Sequence, residues 1–322
     1  MSSSRRRRGV RGAPRSFAVA AALLADRAVG EPPVDPHPVA AFGTAMKATE
    51  RAFYEDTKAA GVLHTAIGVA FGASAGALLR STALATYLAV AGRSLGEAAD
   101  EIATPLALGD LAAARDRLPA LVGRDPTHLD AAEIARAAVE SVAENTTDAI
   151  VAPAWWGLVA GAPGALGYRA VNTMDAMVGH HSDRYERYGW ASARLDDWAN
   201  AVPARLTAAL VVLARPRFAS EIWRAVRDDA PHHPSPNAGV AEAAFAAALG
   251  LELGGTNTYG DRVEERARLG SGRPPEVGDI AAAVCLADDV QVLLALIVAG
   301  LGVARLAGRP GRRGRRRAKK GR

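Results

Sequence analysis

Between Arg136 and Arg205 the chain gathers carboxylates and carboxamides around one apolar segment. Glu140, Glu144, Asn145 and Asp148 precede it, Asn172, Asp175, His180 and Asp183 follow it, and Asp196, Asp197 and Asn200 come next. Charged groups beside a membrane-grade segment are costly to desolvate unless they pair or hold a cation, so this region is a candidate site. Glu140, Glu144 and Asp148 are spaced by four. A helix turns about 100° per residue, which puts successive members about 40° apart on one face. Asn172 and Asp175, three apart, can supply an opposite wall. Oxygen ligands of this kind suit Mg2+, which is usually held by one or two carboxylates together with phosphate oxygens. The same spacing also serves a solvated acidic face with partners such as Arg136 to Glu140, and spacing does not choose between the two.

His180, His181, Asp183 and Arg184 form a second polar group. Adjacent histidines are poor tetrahedral zinc partners, so hydrogen bonding or phosphate contact is the expected role. His64, inside an apolar run, reads as a satisfied buried histidine, and His232 and His233, among prolines, as loop residues. The Ser235–Gly239 turn precedes a helix carrying Glu242 and offers N–H groups to an anion. Leu253 to Asp261 reads as a Gly-rich chain reversal. Neither is a phosphate loop, since no GxxxxGK[ST] occurs and no GxGxxG follows a strand. Asp288 and Asp289 read as a helix-start pair matching the helix dipole.

Several elements must position these groups. Ala59–Leu79 carries no Asp, Glu, Lys or Arg and is long enough to cross a hydrocarbon core as a helix. Arg80 interrupts it, and the chain continues apolar to Gly92. Ala149–Tyr168 is a second charge-free run whose Pro153, Pro163 and glycines predict a broken or re-entrant helix. Val290–Ala304 is a third, and Phe17–Ala25 and Leu206–Ala214 are shorter. Leu95–Arg117, Leu129–Ala143 and Ala238–Leu251 read as helices, the second capped by Thr127 or Asp130, the third by Asn237. The expected fold class is all-α: a multi-pass helical membrane protein with sizeable polar helical loops. Basic tails at residues 1–15 and 307–322 flank one domain at 16–306. Positive-inside reasoning puts both tails in the cytoplasm and asks for an even number of crossings; the span count stays open, as does the oligomeric state. The tails lack interleaved aromatics, which argues against nucleic acid as a partner. Cys285 is the only cysteine, so a disulfide framework within one chain is excluded.

The chain resembles the CobD/CbiB family of adenosylcobinamide-phosphate synthases. The likeness rests on DRAVGEPPVDPHPVAAFG, on VESVAENTTDAIVAPAWW, on YRAVNTMDAMVGHHSDRYERYGW through ARLDDWANAVPARL, and on SPNAGVAEAAFAAALGLELGG, in that order over most of residues 20–305. Ala149 and Ala176 depart from the Gly and Ser expected after the two aspartates. The resemblance implies a multi-pass membrane enzyme of cobalamin biosynthesis that joins a corrinoid, adenosylcobyric acid, to aminopropanol phosphate as an amide, with ATP as co-substrate. It implies a cell-membrane location in contact with lipid. It places Glu140, Glu144, Asn145, Asp148, Asn172, Asp175, Asp196, Asp197, Asn200, Arg205 and Asn237 in motif positions. The expected roles follow: Mg2+ on Glu144, Asp148 and Asp175; catalysis by Asp148, Asp175, Glu140 and His180, the last as base; phosphate binding by Arg184 or Arg205; substrate contacts from Asn145, Asn172, Asp196, Asp197, Asn200 and Asn237. A transporter or membrane sensor with the same acids lining a solute path is the alternative.

Overall fold

A computed structural model describes residues 14–307, except 33, 124, 181, 260 and 261. Most of both basic tails, His181 and the end of the Gly-rich segment thus lie outside the described residues. Among the described residues the fold is twelve α-helices and one two-stranded hairpin. The helices are α1 (Arg15–Val29), α2 (Pro38–Phe53), α3 (Lys58–Leu79), α4 (Thr82–Ala89), α5 (Gly92–Ala107), α6 (Leu111–Arg117), α7 (Ala131–Asn145), α8 (Ala152–Met174), α9 (Trp190–Ala214), α10 (Ala219–Asp228), α11 (Ala238–Leu249) and α12 (Val277–Ala307). The hairpin is β1 (Leu253–Tyr259) and β2 (Arg262–Leu269), antiparallel with a register shift between Leu253 and Gly255. Among the described residues three segments are long and apolar enough to cross a membrane: Lys58–Leu79, Val277–Ala307 and the continuous helical stretch Ala131–Gly179.

That stretch is broken, as its prolines and glycines predict. Two sections of wide, π-type turns, Thr146–Val151 and Asp175–Gly179, bracket α8, and Gly161 leaves helical geometry at φ 71°. A proline inside a helix leaves the carbonyl four residues earlier without its N–H partner. Three such carbonyls, in this stretch and in α9, have a substitute donor. Ala91 N–H donates to Ala149 O at 3.0 Å, opposite Pro153. Arg15 Nη1 donates to Val159 O at 2.9 Å, opposite Pro163. Trp156 Nε1 donates to Ala199 O at 3.1 Å, opposite Pro203 of α9. Arg15, the first residue of α1, thus serves α8 as well.

α3 and α8 pack antiparallel through glycine. A Cβ on Gly76 would lie 2.3 Å from Ala162 O, one on Gly72 2.7 Å from Leu166 O, and one on Gly68 2.1 Å from Met174 Sδ. Small residues at four-residue spacing are how membrane helices bring backbones together. The centre of the core is α7 and α11, whose Ala-rich surfaces are buried nearly all round, the pattern of a fully enclosed helix. α7 starts with a capping box in which Asp130 accepts from Glu133 N–H at 2.9 Å and Glu133 accepts from Asp130 N–H at 2.8 Å. Asp26, buried in α1, accepts from Gly92 and Arg93 N–H at the start of α5 and from Gln291 Nε2 of α12; its carboxylate meets the positive end of α5.

Several expectations are corrected. Leu95–Arg117 is two helices, because Pro105 weakens the first and Gly109 turns the chain at φ 78°. Gly250 in αL ends α11 at Leu249, two residues short of the expected Leu251. Leu253–Tyr259 is a strand. Asp288 and Asp289 lie in the middle of α12, where they pair with Arg27 at 3.0 Å and Arg215 at 2.8 Å. His233 is buried, its Nε2 3.6 Å from the equally buried Glu242 carboxylate.

Candidate active site

The two π-type sections carry the two acids expected to matter most. Such insertions widen a helix locally and re-aim its side chains. Asp148 lies in the first and Asp175 in the second. Asn172, three residues before Asp175, donates from Nδ2 to Asp148 Oδ2 at 3.1 Å, which joins the two walls. Gly179 closes the second section. A Cβ there would fall 1.9 Å from Asp175 Oδ1, so only glycine lets this carboxylate fold back over its own turn.

α9 supplies the third wall. Thr207 bonds Thr147 at 2.9 Å and pins α9 to the first π-type section. Asp196 and Asn200, one turn apart, then face the acids. Asn200 Nδ2 donates to Asp196 Oδ2 at 2.9 Å, and the buried Tyr168 hydroxyl donates to Asn200 Oδ1 at 2.9 Å. Asn237 closes the rim: Arg205 Nη1 donates to its Oδ1 at 2.7 Å, and its Nδ2 donates to Asp197 O at 2.7 Å. This is why Asn237 does not cap α11. Ser235 Oγ does so, accepting from the N–H groups of Asn237 and Ala238. Glu144, Asp148, Asp196, Asn200, Ser235 and Asn237 thus share a recess of about 20 Å3, room for one water-sized occupant. Asp175 lies within electrostatic reach of Glu144, Asp196 and Asp197.

Burial, reinforced by the neighbouring Asp175 carboxylate, pushes the Asp196 carboxyl up to about 8 against the opposing hydrogen bond from Asn200. Asp196 Oδ1 is buried without a hydrogen-bond partner. Among the described residues no three His, Cys, Asp or Glu side chains form a ready-made metal cage. Mg2+ does not require one, because it keeps waters and takes phosphate oxygens as ligands. An oxygen-only donor set, an orphaned carboxylate oxygen and a recess of single-ion size fit a hard divalent cation.

The structure therefore brings together Glu144, Asp148, Asn172, Asp175, Asp196, Asp197, Asn200, Arg205 and Asn237. It places four other candidates differently. Glu140 is buried on the α11 and hairpin side and accepts from Gly254 N–H at 2.8 Å. Asn145 turns back on its own helix, donating to Ser141 O at 2.9 Å. Arg184 donates to Glu50 at 2.9 Å and stacks over Tyr54. His180 is exposed, edge-on to Tyr185 at 5.0 Å between ring centroids. Sequence reasoning missed Tyr168 and Arg169. Both lie one turn before Asn172, so the helical period that pairs Asn172 with Asp175 also reaches them.

The sequence profile of the family described as CobD/Cbib protein matches residues 19–287. A cobalamin biosynthesis protein CobD of Mycobacterium tuberculosis (strain CDC 1551 / Oshkosh) is 46% identical over 299 residues, 88% of this chain and 94% of its own length. The protein of the same name from Chromobacterium violaceum is 45% identical, covering 82% of this chain and 89% of that one. The one from Halalkalibacterium halodurans is 40% identical, covering 80% and 86%. No solved structure matches. With a matching profile over most of its length and relatives of this identity and coverage, the chain belongs to the CobD/CbiB family of cobalamin biosynthesis proteins.

Proposed function

We propose that this protein is the amide-forming ligase of its pathway, joining adenosylcobyric acid to (R)-1-amino-2-propanol O-phosphate at the expense of ATP. The observation that carries the reading is the convergence of Glu144, Asp148 and Asp196 with Asn200 and Asn237 on one small recess, with Asn172 bonded to Asp148 and Asp175 within electrostatic reach beside it. A carboxylate is a poor electrophile and needs activation. In the proposed sequence the γ-phosphoryl group of ATP passes to a corrinoid carboxylate oxygen and ADP leaves. The amine lone pair then attacks the acyl carbon, inorganic phosphate departs, and the ammonium proton goes to a base. Glu144, Asp148 and Asp175 would hold Mg2+, which when bound supplies neutralisation of phosphate charge. Asn172 fixes the Asp148 carboxylate by its hydrogen bond. Arg205, whose Nη1 orients Asn237, directs its positive charge to the rim where a substrate phosphate would arrive. Asp196, which faces the recess where the exposed His180 does not, is the candidate base, since a carboxyl near 8 is matched to proton transfer at neutral pH.

The membrane arrangement belongs to the same proposal. In their most apolar windows α3 and α12 are only 28% and 33% buried within the protein, whereas the Ala131–Gly179 stretch is 56% buried. We place α3 and α12 across the cell membrane and keep the broken stretch inside the protein. Two crossings then leave both basic tails on the cytoplasmic side, as the positive-inside rule asks.

The test is to incubate purified protein in lipid vesicles with adenosylcobyric acid, ATP, Mg2+ and either aminopropanol phosphate or aminopropanol. The expected result is an amide product with stoichiometric ADP, formed with the phosphorylated donor. Solute uptake without product would favour the transporter reading. The Gly161 break, which could have marked a solute path, speaks less for transport because Arg15 already occupies its free carbonyl.

A further inference from the structure

An open, largely apolar cavity of about 310 Å3 lies between α2, α3 and α8, apart from the acidic recess. Phe42, Phe71, Ala75 and Leu166 contribute apolar wall, and Arg169 and Thr173 contribute its polar end. Gly72 lets α3 and α8 meet at its floor, where a Cβ would strike Ala170. Arg169 reaches one of its nitrogens toward Asn172 Oδ1 at 3.4 Å, but its Nε is buried with no acceptor. A guanidinium N–H without an acceptor is costly, and Arg is the side chain best shaped for phosphate.

An occupant must therefore combine an aliphatic chain with an anionic oxygen at one end. The corrin macrocycle is far too large for 310 Å3, and an amino alcohol phosphate has too little apolar surface to cover these walls. α3, which forms one wall, is a membrane-grade helix with Phe71 half exposed, so membrane lipid has direct access. We propose that this cavity is a binding site for one acyl chain of an anionic phospholipid, with the lipid phosphate accepting from Arg169. Charge complementarity at Arg169 selects the head group, and the apolar walls hold the chain. Such a ligand would sit one side chain away from the acidic recess, through Asn172.

The test is native mass spectrometry of the full chain released from nanodiscs of equal phosphatidylglycerol and phosphatidylcholine, a readout independent of turnover. The expected result for the wild type is one retained phosphatidylglycerol, preferred at least fivefold over phosphatidylcholine. Arg169→Gln should lose the preference, and Ala75→Phe, which fills the cavity, should lose both lipids. If either variant fails to fold, competition on the wild type decides. Short-chain phosphatidylglycerol should displace the retained lipid, whereas inorganic phosphate and glycerol phosphate should not. Displacement by inorganic phosphate alone, retention of lipid without head-group preference, or a second copy of the chain seated on α2 and α3 in cross-linking would each overturn the proposal.

Discussion

Replacing Asp196 by asparagine removes one charge from the cluster and keeps its shape and its bond to Asn200. The wild-type carboxyl sits near 8 instead of the ordinary 3.8. Between about pH 4 and 8 the native state thus holds a proton that the unfolded chain has released. For this group the sign follows directly: its contribution to stability falls as pH rises through that window, by at most about 1.4 kcal/mol per pH unit, and flattens above about 8. Taken whole, holding a carboxyl near 8 disfavours its anion by about 6 kcal/mol. With an effective dielectric nearer 20 at the partly exposed rim, the recoverable part is on the order of 2 kcal/mol. Asp196→Asn should therefore melt roughly 4 °C higher than wild type at pH 8 and show little difference at pH 5, where both side chains are neutral. Mg2+ at pH 8 should raise the wild-type midpoint more than that of the variant. Tryptophan fluorescence melts in detergent between pH 5 and 9 read all of this. Equal midpoints at pH 8, or a variant advantage that grows toward pH 5, would refute the reasoning.

Three further outcomes are expected. Gly76→Leu should force α3 away from α8, since even a Cβ meets Ala162 O at 2.3 Å. A loss of about 1–3 kcal/mol or more, seen as a lower melting temperature, contrasts with no loss for Gly300→Ala, whose Cβ points into open space. Glu140→Ala leaves Gly254 N–H without its acceptor, at a cost of about 1–3 kcal/mol; hydrogen exchange should speed up in the 253–269 hairpin and stay unchanged in α3. Glu50→Ala releases both Arg184 and the Tyr185 hydroxyl, which donates to Glu50 at 3.0 Å. Limited proteolysis should then cut within 180–189 at least several-fold faster, and unchanged cleavage would show that this clamp does not order the segment.

Much of the site was legible because helical period and apolar context act locally. The three- and four-residue spacings of Glu144, Asp148, Asn172 and Asp175 translate directly into one polar lip, and Pro163 with Gly161 predicts the break. Long-range partnership was not legible. Nothing in the spacing of Glu140 separates it from Glu144; only the arrival of Gly254 from the hairpin, 114 residues away, does. Arg184 looks free until α2 brings Glu50 to it. His233 looks like a loop residue until Glu242 folds beside it, and Asp288 like a helix start until Arg27 of α1 crosses α12. The donors that replace the lost proline hydrogen bonds are similarly distant in sequence. Arg169 was hidden for a different reason: it follows the charge-free run that ends at Tyr168, and nothing in the sequence shows the cavity beside it.

Mn2+ takes the same carboxylate and phosphate ligands as Mg2+ and can be followed by electron paramagnetic resonance. Titrated into the purified protein with ATP present, it should occupy a single tight site that vanishes in Asp148→Asn while the variant stays folded. Undiminished Mn2+ binding in Asp148→Asn would contradict the idea that the clustered carboxylates hold a cation together with its phosphate-bearing reactants.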